Sequence, residues 1–167
     1  MEVTVELVRT LREQTGAGVM ECKVALVDSG GDLEKAADAL RDKGLAQVAK
    51  RAGRDTTEGI IEAYVHTGGR VGAIVELGCE TDFVARTDAF RDLAHDIAMQ
   101  VAAMAPAYVD EKEMEEGDTR PVAQVSLLQQ PFIKSSGSSV GDVVQELAAK
   151  VGENVRVLRF TRLALGE

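Results

Sequence analysis

Apolar positions recur at helical spacing over the first 45 residues. Val5, Leu7, Val8 and Leu11 share one side of a helix over residues 5–15, which Thr15-Gly16-Ala17-Gly18 stops because glycine tolerates the left-handed exit conformation. Val19, Met20, Cys22, Lys23, Leu26 and Val27 read as a second helix ending at Ser29-Gly30-Gly31. Asp32 is placed to cap a third, in which Leu33, Ala36, Ala37 and Leu40 recur before Gly44 closes it. Three short helices with glycine-rich joints make a small bundle, marginal in size but able to fold alone. Leu45 to Arg54 reads as a helical linker with a basic end, so the first domain and its linker span residues 1–54.

The period then changes. Residues 59–66 and 71–78 are rich in β-branched side chains and flank Thr67-Gly68-Gly69-Arg70, a hairpin signal whose two-residue and three-residue turns would pair different faces. From the N-cap Thr87, Phe90, Leu93, Ala94, Ile97, Ala98, Val101, Ala102 and Ala105 keep helical spacing up to Pro106. Residues 110–118 carry six acids and one lysine and read as a solvated loop or a frayed helix. Ser139-Val140-Gly141-Asp142 has the form of a capping box. It opens a helix with Val140, Val143, Val144, Leu147 and Val151 that closes at Gly152, and residues 155–161 read as a strand. The expected class is α+β. A three-helix domain precedes a core of residues 55–167, in which helices cover one face of a small antiparallel three-stranded sheet and a short acidic loop spans 107–120.

Composition narrows the function. Of the net charge of −9, residues 1–54 carry none, with nine basic and nine acidic side chains; residues 55–167 hold ten basic and nineteen acidic ones. Such a surface repels a phosphate backbone, so no direct nucleic-acid partner is expected. No apolar run approaches the roughly 20 residues of a membrane span, and Met1-Glu2-Val3-Thr4 lacks the basic start of an export leader, so a cytoplasmic protein with no membrane contact is expected. Cys22 and Cys79 lie far apart without metal-ligand spacing and read as reduced, packed thiols; no metal or cofactor is expected.

Between the second strand and the long helix lies Gly78-Cys79-Glu80-Thr81-Asp82-Phe83-Val84-Ala85-Arg86, with one of only four phenylalanines in a chain that has no tryptophan. Phe83 is either buried there or offered to something else, since connectors held by rigid elements are where contact residues sit. Val19 and Met20 pose the same choice between core and exposed pair. Glu80 and Asp82 form the nearest approach to an acid/base couple, but no nucleophile with an orienting histidine, phosphate loop or metal set accompanies them, so no enzyme is expected. Gly16-Ala17-Gly18 follows no strand and is a turn, not a dinucleotide fingerprint.

Two stretches, LVRTLREQTGAGVMECK at 7–23 and CETDFVAR at 79–86, resemble the two signatures of the translation elongation factor Ts family, the guanine nucleotide exchange factors for elongation factor Tu. GGDLEKAADALRDKG, QPFIK with SVGD, and ENVRVLRFTRLALGE are similar as well, so the resemblance covers most of the chain. It implies that the N-terminal domain is of the ubiquitin-associated type. It also implies that Asp82 and Phe83, flanked by Thr81 and Val84, insert between helices of the GTP-binding domain of elongation factor Tu near its magnesium site. Arg12, Val19 and Met20 match the family's contacts from the N-terminal domain. His66 is similar to a histidine that reaches the phosphate-loop side.

The chain departs from the family pattern in two places. Ala107 to Gln130 is short and acidic where the family carries a longer helical insertion, and only one core unit is present where longer members have two. A homodimer that completes the second half is therefore expected. Two other functions fit parts of the chain: a general protein-binding module using the three-helix domain, and a carboxylate-dependent hydrolase built on Glu80 and Asp82.

Overall fold

In the computed structural model, which describes residues 3–167, the periodicities become elements with identifiable ends. Met1 and Glu2, on which the reading of no export leader partly rests, lie outside the described residues. The Thr4 hydroxyl caps α1 (Val5–Thr15) by accepting from the Leu7 N–H, and α1 ends where Gly16 turns left-handed at φ 70°. α2 (Val19–Asp28) follows, and the Asp32 carboxylate accepts from the Lys35 N–H to open α3 (Leu33–Arg51). Leu11, Cys22, Ala25, Leu26 and Ala36 are buried together, with Leu7, Val8, Leu33 and Leu40 packed around them.

Gly44 does not close α3, and the helical stretch read from Leu45 onward is its continuation as far as Arg51. A glycine inside a helix costs about 1 kcal/mol against alanine, but here the missing side chain lets α3 approach the later helix α7 (Val140–Val151): a Cβ at Gly44 would stand 3.0 Å from the Ala149 Cβ. Tertiary packing overrides the local stop signal.

β1 (Glu58–Val65) and β2 (Val71–Cys79) pair antiparallel from Glu58 opposite Cys79 to Val65 opposite Gly72. The His66 N–H donates to the Val71 carbonyl at 2.8 Å, so the loop is the four residues 67–70, neither of the two turns that the sequence left open. β5 (Arg156–Ala164) adds antiparallel to the other side of β2, giving the order β1-β2-β5. β2 sends Ala73, Val75, Leu77 and Cys79 inward against α5 (Asp88–Met104), which contributes Phe90, Leu93, Ile97 and Val101, and α7 contributes Val140, Val144 and Leu147. Both caps form as read: Thr87 accepts from the Phe90 N–H, and Ser139 and Asp142 cap each other reciprocally before Gly152 ends α7.

Between α5 and α7 the chain is more ordered than its composition suggests. Asp118 accepts from the Arg120 guanidinium and the Tyr108 hydroxyl, which hold its carboxyl well below the usual range, and 3₁₀ turns span Glu111–Glu113 and Leu127–Gln129. The short α6 (Val122–Val125) leads to β3 (Pro131–Phe132) and β4 (Ser135–Ser139), a small hairpin that no periodicity signals. Gln100 and Gln130, both fully buried, tie it to α5: Gln100 Nε2 donates to Gln130 Oε1 and the Pro131 carbonyl, and Gln100 Oε1 accepts from the Ile133 N–H at 2.8 Å.

Candidate functional site

The connector after β2 is a single helical turn, α4 (Asp82–Ala85), and it faces two ways. Val84 and Ala85 pack into the larger core, while Phe83 points outward with 77% of its surface exposed. A side chain of that size in water stabilises nothing in the free protein, so burial of Phe83 is excluded and its display stands. Val84, expected beside it as a contact residue, lies in the core and acts as the anchor of the turn. Asp82 is paired with Arg86 at 2.8 Å on the surface.

The turn's backbone is gripped from 72 and 73 positions away in sequence. Glu153, just beyond the end of α7, accepts from the N–H groups of Glu80 and Thr81 at 3.1 and 3.0 Å and from the Thr81 hydroxyl at 2.6 Å. Thr81 thus uses its hydroxyl on Glu153 and not on its own helix. Asn154 is 3% exposed; its N–H donates to Glu80 Oε1 at 2.6 Å, and its side-chain amide donates to the carbonyls of Ala52 and Arg54 at 3.3 and 2.8 Å. Arg54 completes the cluster through Glu80 Oε2 at 3.3 Å. On the far side of Phe83, the Thr87 hydroxyl donates to the Val84 carbonyl at 2.8 Å. Phe83 is therefore presented on a backbone fixed at both ends.

Glu153 and Asn154 escaped the sequence reading. Their only local signal is two polar residues between the helix stop Gly152 and the apolar run that starts at Val155.

This chemistry does not suit proton transfer. The backbone N–H of Asn154, more than the Arg54 charge, holds the Glu80 carboxyl below its ordinary value, which is the opposite of the raised pKa that a general acid needs. Burial, with the nearby charge of Glu153, pushes the Cys79 thiol up to about 11, so it is an inert, protonated group. Among the described residues no group of three or more His, Cys, Asp or Glu side chains could hold a metal ion, and no helix is long and apolar enough to cross a membrane.

The other expected contact residues fall on two further surfaces. Val19 and Met20 open α2 and are 51% and 68% exposed, and Arg12, in the last turn of α1, is exposed as well. His66 lies at the exposed hairpin end, its Nδ1 2.9 Å from the Tyr64 hydroxyl. β2 separates the hairpin from the connector by roughly 26 Å at about 3.3 Å per residue. The structure thus brings Thr81 to Val84 into one unit and leaves His66 apart from it.

Comparison with known proteins gives a consistent likeness. A family model described as Elongation factor TS matches residues 10–120. The chain is 48% identical to a curated protein named Elongation factor Ts from Carboxydothermus hydrogenoformans, over 195 aligned positions that take in 99% of this chain and 90% of that one. It is 47% identical to the Elongation factor Ts of Thermotoga petrophila over 100% of this chain and 98% of the other. Alignments of 195 positions against 167 residues mean that both relatives carry residues this chain lacks.

Proposed function

The chain belongs to the elongation factor Ts family, and from that premise we propose that it is a guanine nucleotide exchange factor that binds GDP-loaded elongation factor Tu and drives GDP out by disturbing the magnesium and phosphate site. The observation that carries this reading is Phe83, solvated on a turn whose backbone is held on both sides. A buried aromatic anchor dominates many interfaces, and its burial costs little ordering when the backbone is already fixed. Asp82, adjacent and on the same turn, brings a negative charge to the partner's cation, competing with the phosphate oxygens that hold it. Thr81 and Val84 set the turn, Arg12, Val19 and Met20 supply a second contact, and His66 a third at the hairpin end.

An exchange factor needs no bond chemistry of its own, and the depressed Glu80 carboxyl and protonated Cys79 thiol agree with a protein that is not an enzyme. The reading carries with it a cytoplasmic location, no direct nucleic-acid contact and a domain boundary near residue 54. It also carries a homodimer through the outer face of the sheet, where Ile61, Val65, Ile74 and Leu163 are exposed. A general binding module built on the three-helix unit would use Val19 and Met20 but would have no use for Phe83.

Stopped-flow release of labelled GDP from elongation factor Tu tests the proposal. Sub-stoichiometric amounts of this chain accelerate release; Phe83→Ala and Asp82→Ala reduce the acceleration, the former by roughly 30-fold, as for truncation of a hot-spot aromatic worth about 2 kcal/mol. Parental rates from both variants would remove the connector from the mechanism.

A further inference from the structure

Resting on the exchange-factor reading, we propose that Glu153 and Asn154 are positioning residues for nucleotide exchange: together they form the joint that fixes the spacing between the Val19-Met20 contact and the Asp82-Phe83 contact. The two contacts sit on units with separate cores, so something must hold one relative to the other for both to engage a single partner. Where they are held, the second contact forms at high effective concentration; where they are not, that gain is lost.

Packing between the units is partial. α3 and α7 touch where Gly44 meets Ala149, and Val48 packs on the larger core, but a cleft of about 480 Å³ opens alongside, between the α1–α2 turn, α3 and α7. Charged groups of both signs, including Glu21, Lys43, Glu146 and Lys150, border it. A seam of this kind permits rocking unless its end is pinned.

Asn154 supplies the pin. Its buried side-chain amide donates to two carbonyls, those of Ala52 and Arg54, where the chain leaves α3, and its own N–H donates to Glu80 at the root of the Phe83 turn. The amide itself is buried, where a donor left without partners is costly, so its two bonds to those carbonyls are a specific attachment. Glu153, one residue earlier, grips the Glu80 and Thr81 backbone. The Arg54 side of its ion pair with Glu80 is exposed, and the pair adds little. Adjacent residues thus do separable tasks. Glu153 orients the wedge, and Asn154 locks the three-helix unit to it.

The two tasks leave different kinetic signatures. Asn154→Ala keeps the backbone bond to Glu80 and the whole Glu153 grip. It is expected to raise the concentration for half-maximal GDP release on the order of tenfold while leaving the maximal release rate unchanged. Glu153→Ala is expected to lower the maximal rate on the order of tenfold, as for a contact displaced from its productive geometry. Glu153→Gln restores it, because the amide oxygen can accept from both N–H groups while its NH₂ donates to the Thr81 hydroxyl. Spin labels at Asp38→Cys and Ser136→Cys, both exposed positions on the two units, read the joint without any partner. Their distance distribution broadens with Asn154→Ala or Asn154→Ser and stays as in the parent with Glu153→Ala. An unchanged distribution and an unchanged half-maximal concentration in both Asn154 variants would overturn the joint, as would one common loss in the Asn154 and Glu153 variants that tracks the folded fraction. A parent chain that leaves GDP release unaccelerated would remove the exchange reading instead, with the label distances still deciding whether Asn154 is the pin.

Discussion

Phe83 and Val84 are neighbours with opposite fates, and the difference predicts opposite mutational effects. Phe83→Ala removes no buried contact and is expected to leave stability within about 0.5 kcal/mol of the parent, whereas Val84→Ala empties part of the core and costs about 1–3 kcal/mol; urea melts of the two variants check both. Glu80 makes a pH prediction. Its folded-state pKa lies below the ordinary value of 4.5, so its contribution to stability is fully present above that value and is lost as pH falls through the lower folded value. Thermal melts between pH 6 and pH 3 are expected to show a smaller acid-side loss for Glu80→Gln than for the parent, at the expense of lower stability at pH 6. The sequence displayed Phe83 in a polar connector but left burial open, because exposure depends on Glu153 and Thr87 holding the turn from either side. A bond between residues 72 positions apart leaves no local trace.

Element ends were legible wherever a side chain or glycine makes the cap locally. Thr87, Ser139 with Asp142, and Gly152 all act as their spacing indicates, whereas the faces that β1 and β2 pair stayed open until the four-residue loop fixed the register. Gly44 misled because the same residue that stops a helix also permits close helix packing, and only the partner helix decides between them. The β3–β4 hairpin was invisible for a different reason: its serine-rich strand has no apolar alternation, and the buried Gln100 and Gln130 amides hold the hairpin to α5. Two stability measurements follow from this. Gly44→Val forces a branched side chain against Ala149 and is expected to cost about 1–3 kcal/mol by denaturant melts, although it improves local helix propensity. Gln100→Leu strands the Ile133 N–H and the side-chain Oε1 of Gln130 and is expected to cost a similar amount, with hydrogen exchange rising first at Ile133.

At the scale of the whole molecule, one sheet face is covered by α5 and the other presents Ile61, Val65, Ile74 and Leu163 around the Glu76–Arg159 pair. Contiguous exposed apolar side chains on a sheet mark a contact surface, and the proposed dimer covers this one. Ile74 lies at its centre, between Ala63 and Thr161, so Ile74→Lys is expected to shift sedimentation from dimer to monomer while leaving the fold intact. The charge division read from the sequence fits the same picture, with the charge-neutral three-helix unit free to approach an acidic partner surface. The central claim concerns affinity, because an exchange factor must prefer its partner empty, and whatever factor GDP costs it in affinity it must cost GDP in return. The most direct test is calorimetric titration of this chain into elongation factor Tu, once nucleotide-free and once saturated with GDP. Markedly tighter binding to the nucleotide-free form is expected, by the same ratio as the loss of GDP affinity when the chain is bound; equal affinity for the two forms would rule out exchange by this route.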